Sequence, residues 1–415
     1  MQTALDVLLA IVALYPVLTA ALWIAGGLMF RLWDERPSDP LPETERDWPG
    51  VSVLIPAYNE AAVIATSVRA ALKSDYPRFE VLVLDDGSSD ETEAAAIEAG
   101  AGDRRLRVLR DPVNRGKAEQ LNLGFARARH ELVMVTDADT HMHPRAIRFL
   151  VARIESSPVL AAVAGAPHVT NRDGVLCAMQ VLEAAAIIGL VRRTQSLTGR
   201  VGIVAGVLGL FRRDRVLAVG GYDGRMATED IDLTWRLLIA GWQTAYEPRA
   251  LVGMQVPSSL HALWAQRKRW ARGQGEVLHA HLRDVCRWRN HRMWLLGLES
   301  LASLIWVACL LCSLVLSVLN VLFGQHLGFF GVGLGWGVAI STVAVVQLTV
   351  AVVLSYPYDH WDVRAMVLGP LYPILFWLIS ASAAINQQIT ALIRGPRDQR
   401  VVWDIPREPL DSTSP

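Results

Sequence analysis

Residues 131–139, "ELVMVTDAD", run through a continuous apolar and β-branched stretch and end in two acidic residues at alternate positions, Asp137 and Asp139. A short uninterrupted apolar run bounded by polar residues reads as a strand buried on both faces. Three similar runs precede it, "VSVLI" at 51, "EVLVL" at 80 and "LRVL" at 106, separated by helical patterns such as 60–73 and 116–128. Strands alternating with helices indicate an α/β fold with a mostly parallel sheet covered on both faces, and ligands of such sheets sit beyond the carboxyl ends of the strands. The polar motifs fall there: "PAYNE" (56–60) after the first strand, "DDGSSD" (85–90) after the second and "DAD" (137–139) after the fourth. Alternate residues of a strand share a side, so Asp137 and Asp139 converge at the sheet edge. Their mutual repulsion is relieved by a hard divalent cation shared with a diphosphate, which implies Mg²⁺ or Mn²⁺.

Working outward, the chain changes character. Of its 415 residues 52% are hydrophobic and 19% charged, with 40 basic and 40 acidic side chains, the balance of a membrane protein with a sizeable water-soluble part. No Asp, Glu, Lys or Arg occurs in 7–30, 301–358 or 365–393. A hydrocarbon core of roughly 30 Å needs about 20 apolar helical residues, so helices are expected near 5–30, 300–323, 330–354 and 366–393. The expected organisation is an anchor at 1–33, a linker at 34–50, an α/β domain at 51–295 with juxtamembrane helices at 260–295, about three spans in 296–393 and a polar tail at 394–415. The first span lacks a basic n-region and a small-residue cleavage site and reads as an anchor. Arg31 and Arg36 follow it and Arg283, Arg287, Arg289 and Arg292 precede the second span, which places the intervening domain in the cytosol. At the far end two rules conflict: three alternating spans put the C-terminus outside, whereas Arg394, Arg397, Arg400 and Arg407 argue for inside. A break at Pro370 and Pro373 would restore parity. Cys177 and Cys286 stand alone, and Cys309 and Cys312 lie in an apolar span, a pattern of packing rather than of metal or disulfide chemistry.

Three motifs admit both a structural and a chemical reading. "DDGSSD" is turn chemistry with Ser89 as a helix cap, or a ligand contact. In "ATEDIDLTWRLLIAGW" (227–242) the carboxylates Glu229, Asp230 and Asp232 open a helical pattern, with Thr228 placed to cap it. They complement the helix dipole, or one of them does chemistry. In "AQRKRWARGQGE" (265–276), Arg267, Lys268 and Arg272 read as a basic juxtamembrane face for anionic lipid, while Gln266, Arg269 and Trp270, spaced i, i+3 and i+4, share another face suited to a sugar ring and a phosphate.

Taken in order, an aspartate after the second strand, D-x-D, T-E-D before a helix and Q-x-x-R-W before the membrane resemble the processive family 2 glycosyltransferases, which include cellulose, chitin and hyaluronan synthases. Within that group "DDGSSDET", "NRGKAEQLN", "IIGLVRRTQSLTGRVGIVAGVLGLFRR", "MATEDIDLTWRL", "AYEPRAL" and "LWAQRKRWARGQGEV" are most similar to the bacterial poly-β-1,6-N-acetyl-D-glucosamine synthases of biofilm matrix. These stretches cover most of residues 50–300, with weaker similarity at "PILFW" (373–377) and around Trp403. Some family members carry a further N-terminal span, whereas this chain has one before its linker.

The resemblance implies a GT-A-type cytosolic domain inserted between transmembrane helices of a multi-pass protein of the bacterial inner membrane. It implies Asp230 as catalytic base, Asp139 with Asp137 as ligands of the cation, and Asp86 as a uridine contact. Glu60, Lys117, Asp137, Glu229, Gln266, Arg269 and Trp270 would contact substrate. The expected reaction is inverting transfer from UDP-N-acetylglucosamine to the 6-hydroxyl of a growing polysaccharide that crosses the lipid bilayer, with a small membrane subunit and export and deacetylation machinery as partners. No nucleic acid is expected. Two alternatives stay open: another processive synthase or a non-processive enzyme that glycosylates a lipid, and, in a different class, a transport component that senses nucleotide-sugar.

Overall fold

A computed structural model describes residues 2–35, 48–323, 329–359 and 363–399. Most of the expected linker and tail, including Arg36, Arg400, Trp403 and Arg407, lie outside the described residues. Along the chain, α1 (Gln2–Trp33) is followed by β1 (Val51–Ala57), α2 (Ile64–Leu72), β2 (Phe79–Asp85), α3 (Thr92–Gly100), β3 (Leu106–Arg110), α4 (Lys117–Arg127), β4 (Leu132–Thr136), β5 (His141–Met142), α5 (Ala146–Ile154) and β6 (Leu160–Val169). Next come α6 (Gly174–Glu183), a π-helical segment Ala184–Val191, α7 (Arg192–Leu197), β7 (Leu208–Arg212), α8 (Arg213–Ala218), α9 (Glu229–Ile239) and β8 (Gln243–Met254). The remaining helices are α10 (Leu260–Val285), α11 (Trp294–Leu322), α12 (Phe329–Ser355), α13 (Leu378–Ala383) and α14 (Ile389–Arg394).

The chain divides into two compact units, 37–171 with 199–256 and 396–415, and 1–36 with 172–198 and 257–395. The first is the α/β unit. Its sheet has the order β3-β2-β1-β4-β7-β6-β8-β5. β3, β2, β1 and β4 are parallel, as continuous apolar runs require, and every residue of β1, β2 and β4 is buried. β7 runs antiparallel to both β4 and β6, whereas β6 and β8 pair in parallel. Val53, Ile55, Val81, Val83, Met134 and Leu210 form the middle of a core that α2 and α5 close with Ile64, Val68, Ile147 and Leu150. The aligned ends of β1, β2 and β4 carry the acidic and amide side chains out of this core at one edge.

The second unit is helical. Among the described residues five segments are long and apolar enough to cross a membrane: Val7–Trp33, Gly174–Leu197, Trp288–Leu319, Val338–Ser355 and Leu375–Arg394. Four coincide with the expected spans. Gly174–Leu197, which the sequence places inside the 51–295 segment, is different: 61% of its most apolar window is buried by protein, against 17% to 33% for the others. Its apolarity serves packing. Here α1 and α7 approach closely at Gly26, where a Cβ would stand 2.3 Å from Cγ2 of Thr194, and Thr194 Oγ1 donates to the Trp23 carbonyl at 3.1 Å. Arg193 fixes the same contact through a buried ion pair with Glu35, at 2.6 Å and 3.1 Å, and donates to the carbonyls of Gly189 and Leu354. The last apolar stretch is interrupted where the sequence carries proline: Pro370 lies in a 3₁₀ segment, Val363–Leu371, and Pro373 opens a π-helical segment, Pro373–Trp377, that leads into α13. Proline lacks the N–H an α-helical turn would need there. All four cysteines are free thiols.

Candidate active site

The loops beyond β1 and β2 are tied to each other before they meet any ligand. Asn59 takes φ 54°, a left-handed conformation that Asn tolerates, and this turns its side chain and the following N–H groups toward the β2 loop. The N–H of Asn59 donates to Ser88 Oγ at 2.9 Å, that of buried Glu60 to Thr92 Oγ1 at 2.8 Å and that of Ala61 to Asp90 at 3.1 Å. Ser89 does not cap a helix: its N–H reaches Asn59 Oδ1 at 2.9 Å, and Asp90 takes the N–H of Thr92, the first residue of α3, at 3.1 Å. Tertiary bonds to "PAYNE" outcompete the local cap.

Asp86 is fully buried and anchors the loop that enters α4. Its Oδ1 accepts from the N–H of Arg115 at 2.8 Å and from Gln120 Nε2 at 2.9 Å, and its Oδ2 accepts from the N–H of Gly116 at 2.8 Å. Gly87, with φ 71°, lets the same loop pass close by, since a Cβ there would stand 2.9 Å from the carbonyl carbon of Val113. The loop thereby presents Lys117, the first residue of α4, to the acidic edge.

β4 ends at Thr136, one residue before the acids, so Asp137 and Asp139 stand in the turn that follows the strand rather than within it, half-buried on either side of buried Ala138. Lys117 Nζ bonds to Asp137 Oδ1 at 2.5 Å. Burial by itself would lower the Lys117 pKa, but the carboxylates of Asp137, Glu229 and Asp230 outweigh it and hold the ammonium well above the ordinary lysine value. Asp230, in the first turn of α9, accepts from the N–H of Ile231 at 2.9 Å and from the N–H of Gly206 at 3.3 Å. Gly206 is where the groups meet, because a Cβ on it would stand 3.2 Å from Lys117 Nζ and 3.9 Å from Asp137 Oδ1. Thr234 supports the arrangement, donating to the Asp230 carbonyl at 2.7 Å while accepting from the Val204 N–H at 3.1 Å.

The three carboxylates at the start of α9 therefore differ. Asp232 is 1% exposed and paired with Arg236 at 2.6 Å and 2.8 Å, while Arg236 also donates to the carbonyls of Val219 and Gly221. It is a fixed part of the scaffold. Thr228 precedes the helix but its hydroxyl makes no capping bond. Glu229 and Asp230 are half-buried and act on Lys117.

Tyr222 was not singled out by the sequence. It is buried, and burial followed by the charges of Glu229, Asp230 and Asp137 raises its pKa well above the ordinary tyrosine value, so its hydroxyl stays a proton donor at neutral pH. Among the described residues that hydroxyl has no hydrogen-bond partner. Asn122 clamps the Tyr222 backbone, accepting its N–H at 2.7 Å and donating to its carbonyl at 2.9 Å. The signal in the sequence is the pair Gly220 and Gly221 just before it, both at positive φ. Gly206 has no such signal, since its part is played by the backbone.

Asp137 and Asp139 offer two hard oxygen donors, and among the described residues no third His, Cys, Asp or Glu completes a metal cluster with them. That donor set fits Mg²⁺ or Mn²⁺, which commonly take one or two carboxylates and complete their coordination with substrate phosphates and water.

Gln266, Arg269 and Trp270 belong to the helical unit, on α10, whose first turn is capped by Ser259 accepting from the Ala262 N–H at 3.3 Å. Gln266 is half-buried, and Arg269 and Trp270 are exposed. The lipid-facing reading of their neighbours is corrected for two residues. Arg267 is buried against Glu183, and Arg272 pairs with buried Glu276 at 2.6 Å. A guanidinium with a buried carboxylate partner is not free to reach a headgroup.

Residues 49–273 match the family described as "Glycosyltransferase like family 2". The chain belongs to this family. It is 32% identical over 386 residues to a poly-beta-1,6-N-acetyl-D-glucosamine synthase of Staphylococcus epidermidis, covering 92% of this chain and 93% of that one. A synthase of the same name from Staphylococcus aureus strain COL is 31% identical over 382 residues, covering 89% and 91%. Among solved structures, the mannosyltransferase PcManGT from Pyrobaculum calidifontis, in complex with GDP-Man and Mn²⁺, has the same fold: TM-score 0.59, 19% identity, covering 93% of this chain and 99% of that one.

Proposed function

We propose that the chain is an inverting glycosyltransferase of the bacterial inner membrane that polymerises N-acetylglucosamine from UDP-N-acetylglucosamine into β-1,6-linked poly-N-acetylglucosamine. The observation that carries this reading is the similarity to synthases of that polymer over nearly the whole of both chains. The acidic edge supplies what the chemistry needs. Asp230 accepts the proton of the acceptor 6-hydroxyl, the freed oxygen attacks C1 of the α-linked sugar, the C1–phosphate bond breaks and UDP leaves, so the new linkage is β. Two backbone N–H groups orient the Asp230 carboxylate without neutralising it. A divalent cation held by Asp139 and Asp137 supplies charge neutralisation at the diphosphate when bound, a role in keeping with the Mn²⁺ of the fold neighbour. Lys117 adds a cation that stays protonated across the working range. Asp86 acts on the nucleotide chiefly by holding the 115–117 backbone, with Glu60 buried in the adjoining loop.

Gln266, Arg269 and Trp270 bind the acceptor end, Trp270 by stacking on a sugar ring and Arg269 by a planar fork to phosphate oxygens. The catalytic unit faces the cytosol, and a small membrane subunit with export and deacetylation machinery works beside the chain. The test is incubation of purified membranes with radiolabelled UDP-N-acetylglucosamine and, separately, UDP-glucose, followed by linkage analysis. Polymer from the first donor with β-1,6 linkages is the expected result. Polymer from UDP-glucose alone, or UDP binding with no sugar transfer, overturns it.

A further inference from the structure

Arg267 sits three residues before Trp270 on α10, in the middle of the Gln266 to Trp270 motif, yet it points into the helical unit. It is 6% exposed, and its two terminal nitrogens meet the two oxygens of Glu183, itself 7% exposed, Nη1 to Oε1 at 2.9 Å and Nη2 to Oε2 closer still. Its Nε makes no hydrogen bond among the described residues, so Glu183 alone fixes the plane of the guanidinium. The guanidinium carbon lies over the Trp270 ring, 4.5 Å from its centroid, and 5.7 Å from the centroid of Phe376. Trp270 remains 39% exposed, so the cation covers part of the indole and leaves the rest open. Both outer partners come from distorted helices: Glu183 immediately precedes the π-helical segment Ala184–Val191, and Phe376 lies within Pro373–Trp377. Segments of this kind are rare and are frequently kept at functional sites.

Stability does not explain this arrangement. A buried ion pair is commonly no better than two apolar side chains of similar volume, because removing both charges from water offsets their attraction. A guanidinium anchored over an indole does something apolar groups cannot: it restrains the ring through cation–π attraction and so favours one angle of its open face. We propose that Glu183 and Arg267 are positioning residues that set the orientation of the Trp270 indole and thereby the acceptor-sugar platform, neither of them touching substrate. This rests on the reading of Trp270 as the acceptor-stacking residue.

The test uses the full chain in detergent or nanodiscs, with a short β-1,6-linked N-acetylglucosamine oligosaccharide as acceptor, and reads the acceptor KM, UDP binding and the thermal midpoint. In the double variant Glu183→Leu with Arg267→Met, the charges go but the volume stays. The expected result is a midpoint and UDP affinity like the parent's and an acceptor KM raised roughly tenfold, the scale of one desolvated cation–π contact. A parent-like acceptor KM overturns the proposal. Should the double variant fail to bind UDP, Arg267→Lys decides, since it keeps the charge and loses the fork: a raised acceptor KM supports positioning and an unchanged one overturns it. Trp270→Ala separates the two readings. If it leaves the acceptor KM unchanged, the stacking role itself is wrong; if it raises KM while the Glu183 and Arg267 variants do not, only the positioning inference falls.

Discussion

At the candidate site of the α/β unit two carboxylates are held by neutral N–H groups, Asp86 by the backbone of Arg115 and Gly116 and the amide of Gln120, and Asp230 by the backbone of Gly206 and Ile231, whereas Glu80 and Glu247 elsewhere in that unit pair with Arg107 and Arg249. In the helical unit three buried carboxylates are held by guanidinium groups, Glu35 by Arg193 and Glu183 by Arg267 in two-point contacts and Glu276 by Arg272 through Nε. A neutral donor orients a carboxylate and leaves its charge available to a proton, a cation or a cationic transition state. A guanidinium orients it and cancels it. The same distinction operates within the first turn of α9, where Asp232 is cancelled by Arg236 and Asp230 is not.

Several substitutions would break or sharpen this contrast. Asp230→Asn keeps shape and removes the proton acceptor, so polymer formation should fall by about 10² to 10⁴-fold with expression and UDP binding unchanged. Radiolabel incorporation within about tenfold of the parent would remove Asp230 from the role of base. Arg193→Ala leaves buried Glu35 with only the more distant Arg31, at 3.3 Å, and should cost about 3 kcal/mol, read as a lower thermal midpoint. The pair Glu35→Leu with Arg193→Met should recover most of it, and failure to recover would mean that the fork is indispensable to the packing of α1. Asp139→Ala should weaken the metal dependence of UDP-sugar binding by at least about 10 to 100-fold, whereas an unchanged metal titration would exclude it as a ligand.

Asp232→Asn is the mirror of the first substitution. It should lower stability by about 1.5–3 kcal/mol while the folded protein keeps its activity. A stable but inactive variant would erase the distinction between the two aspartates. Smallest of all, Lys268→Ala removes a side chain whose ammonium lies 5.6 Å from the Trp264 ring, a contact worth about 0.5–1 kcal/mol at most, and should leave polymer yield unchanged.

The strands and the acidic edge were legible because their signals are local: continuous apolar runs for β1, β2 and β4, and alternate acids after β4. What escaped was set by partners distant in sequence. Ser89 and Thr228 look like helix caps, yet Asn59 claims the first and no bond reaches the second. Arg267 and Arg272 look like a lipid-facing cluster until Glu183 and Glu276 are known to stand beside them. The 174–197 helix is apolar enough to read as a span, but its apolarity is taken up by α1 and its neighbours. Tyr222 is announced only by the glycine pair before it, and Gly206, which acts through its N–H, by nothing.

The strand order has a consequence for how the chain is made. β7 lies between β4 and β6, but its first residue, Leu208, follows the last of β4, Thr136, by 72 positions. At translation rates of about 5–20 residues per second the ribosome needs roughly 4 to 14 s to cross that interval. Throughout it one edge of β4 is unpaired, and once β6 is made both of its edges are unpaired too, because β8 comes later still. The apolar helix 174–197 emerges in the same interval. An open sheet edge is an invitation to pair with another chain. Nascent chains that stall between 198 and 207, before β7 is made, should therefore aggregate or be degraded.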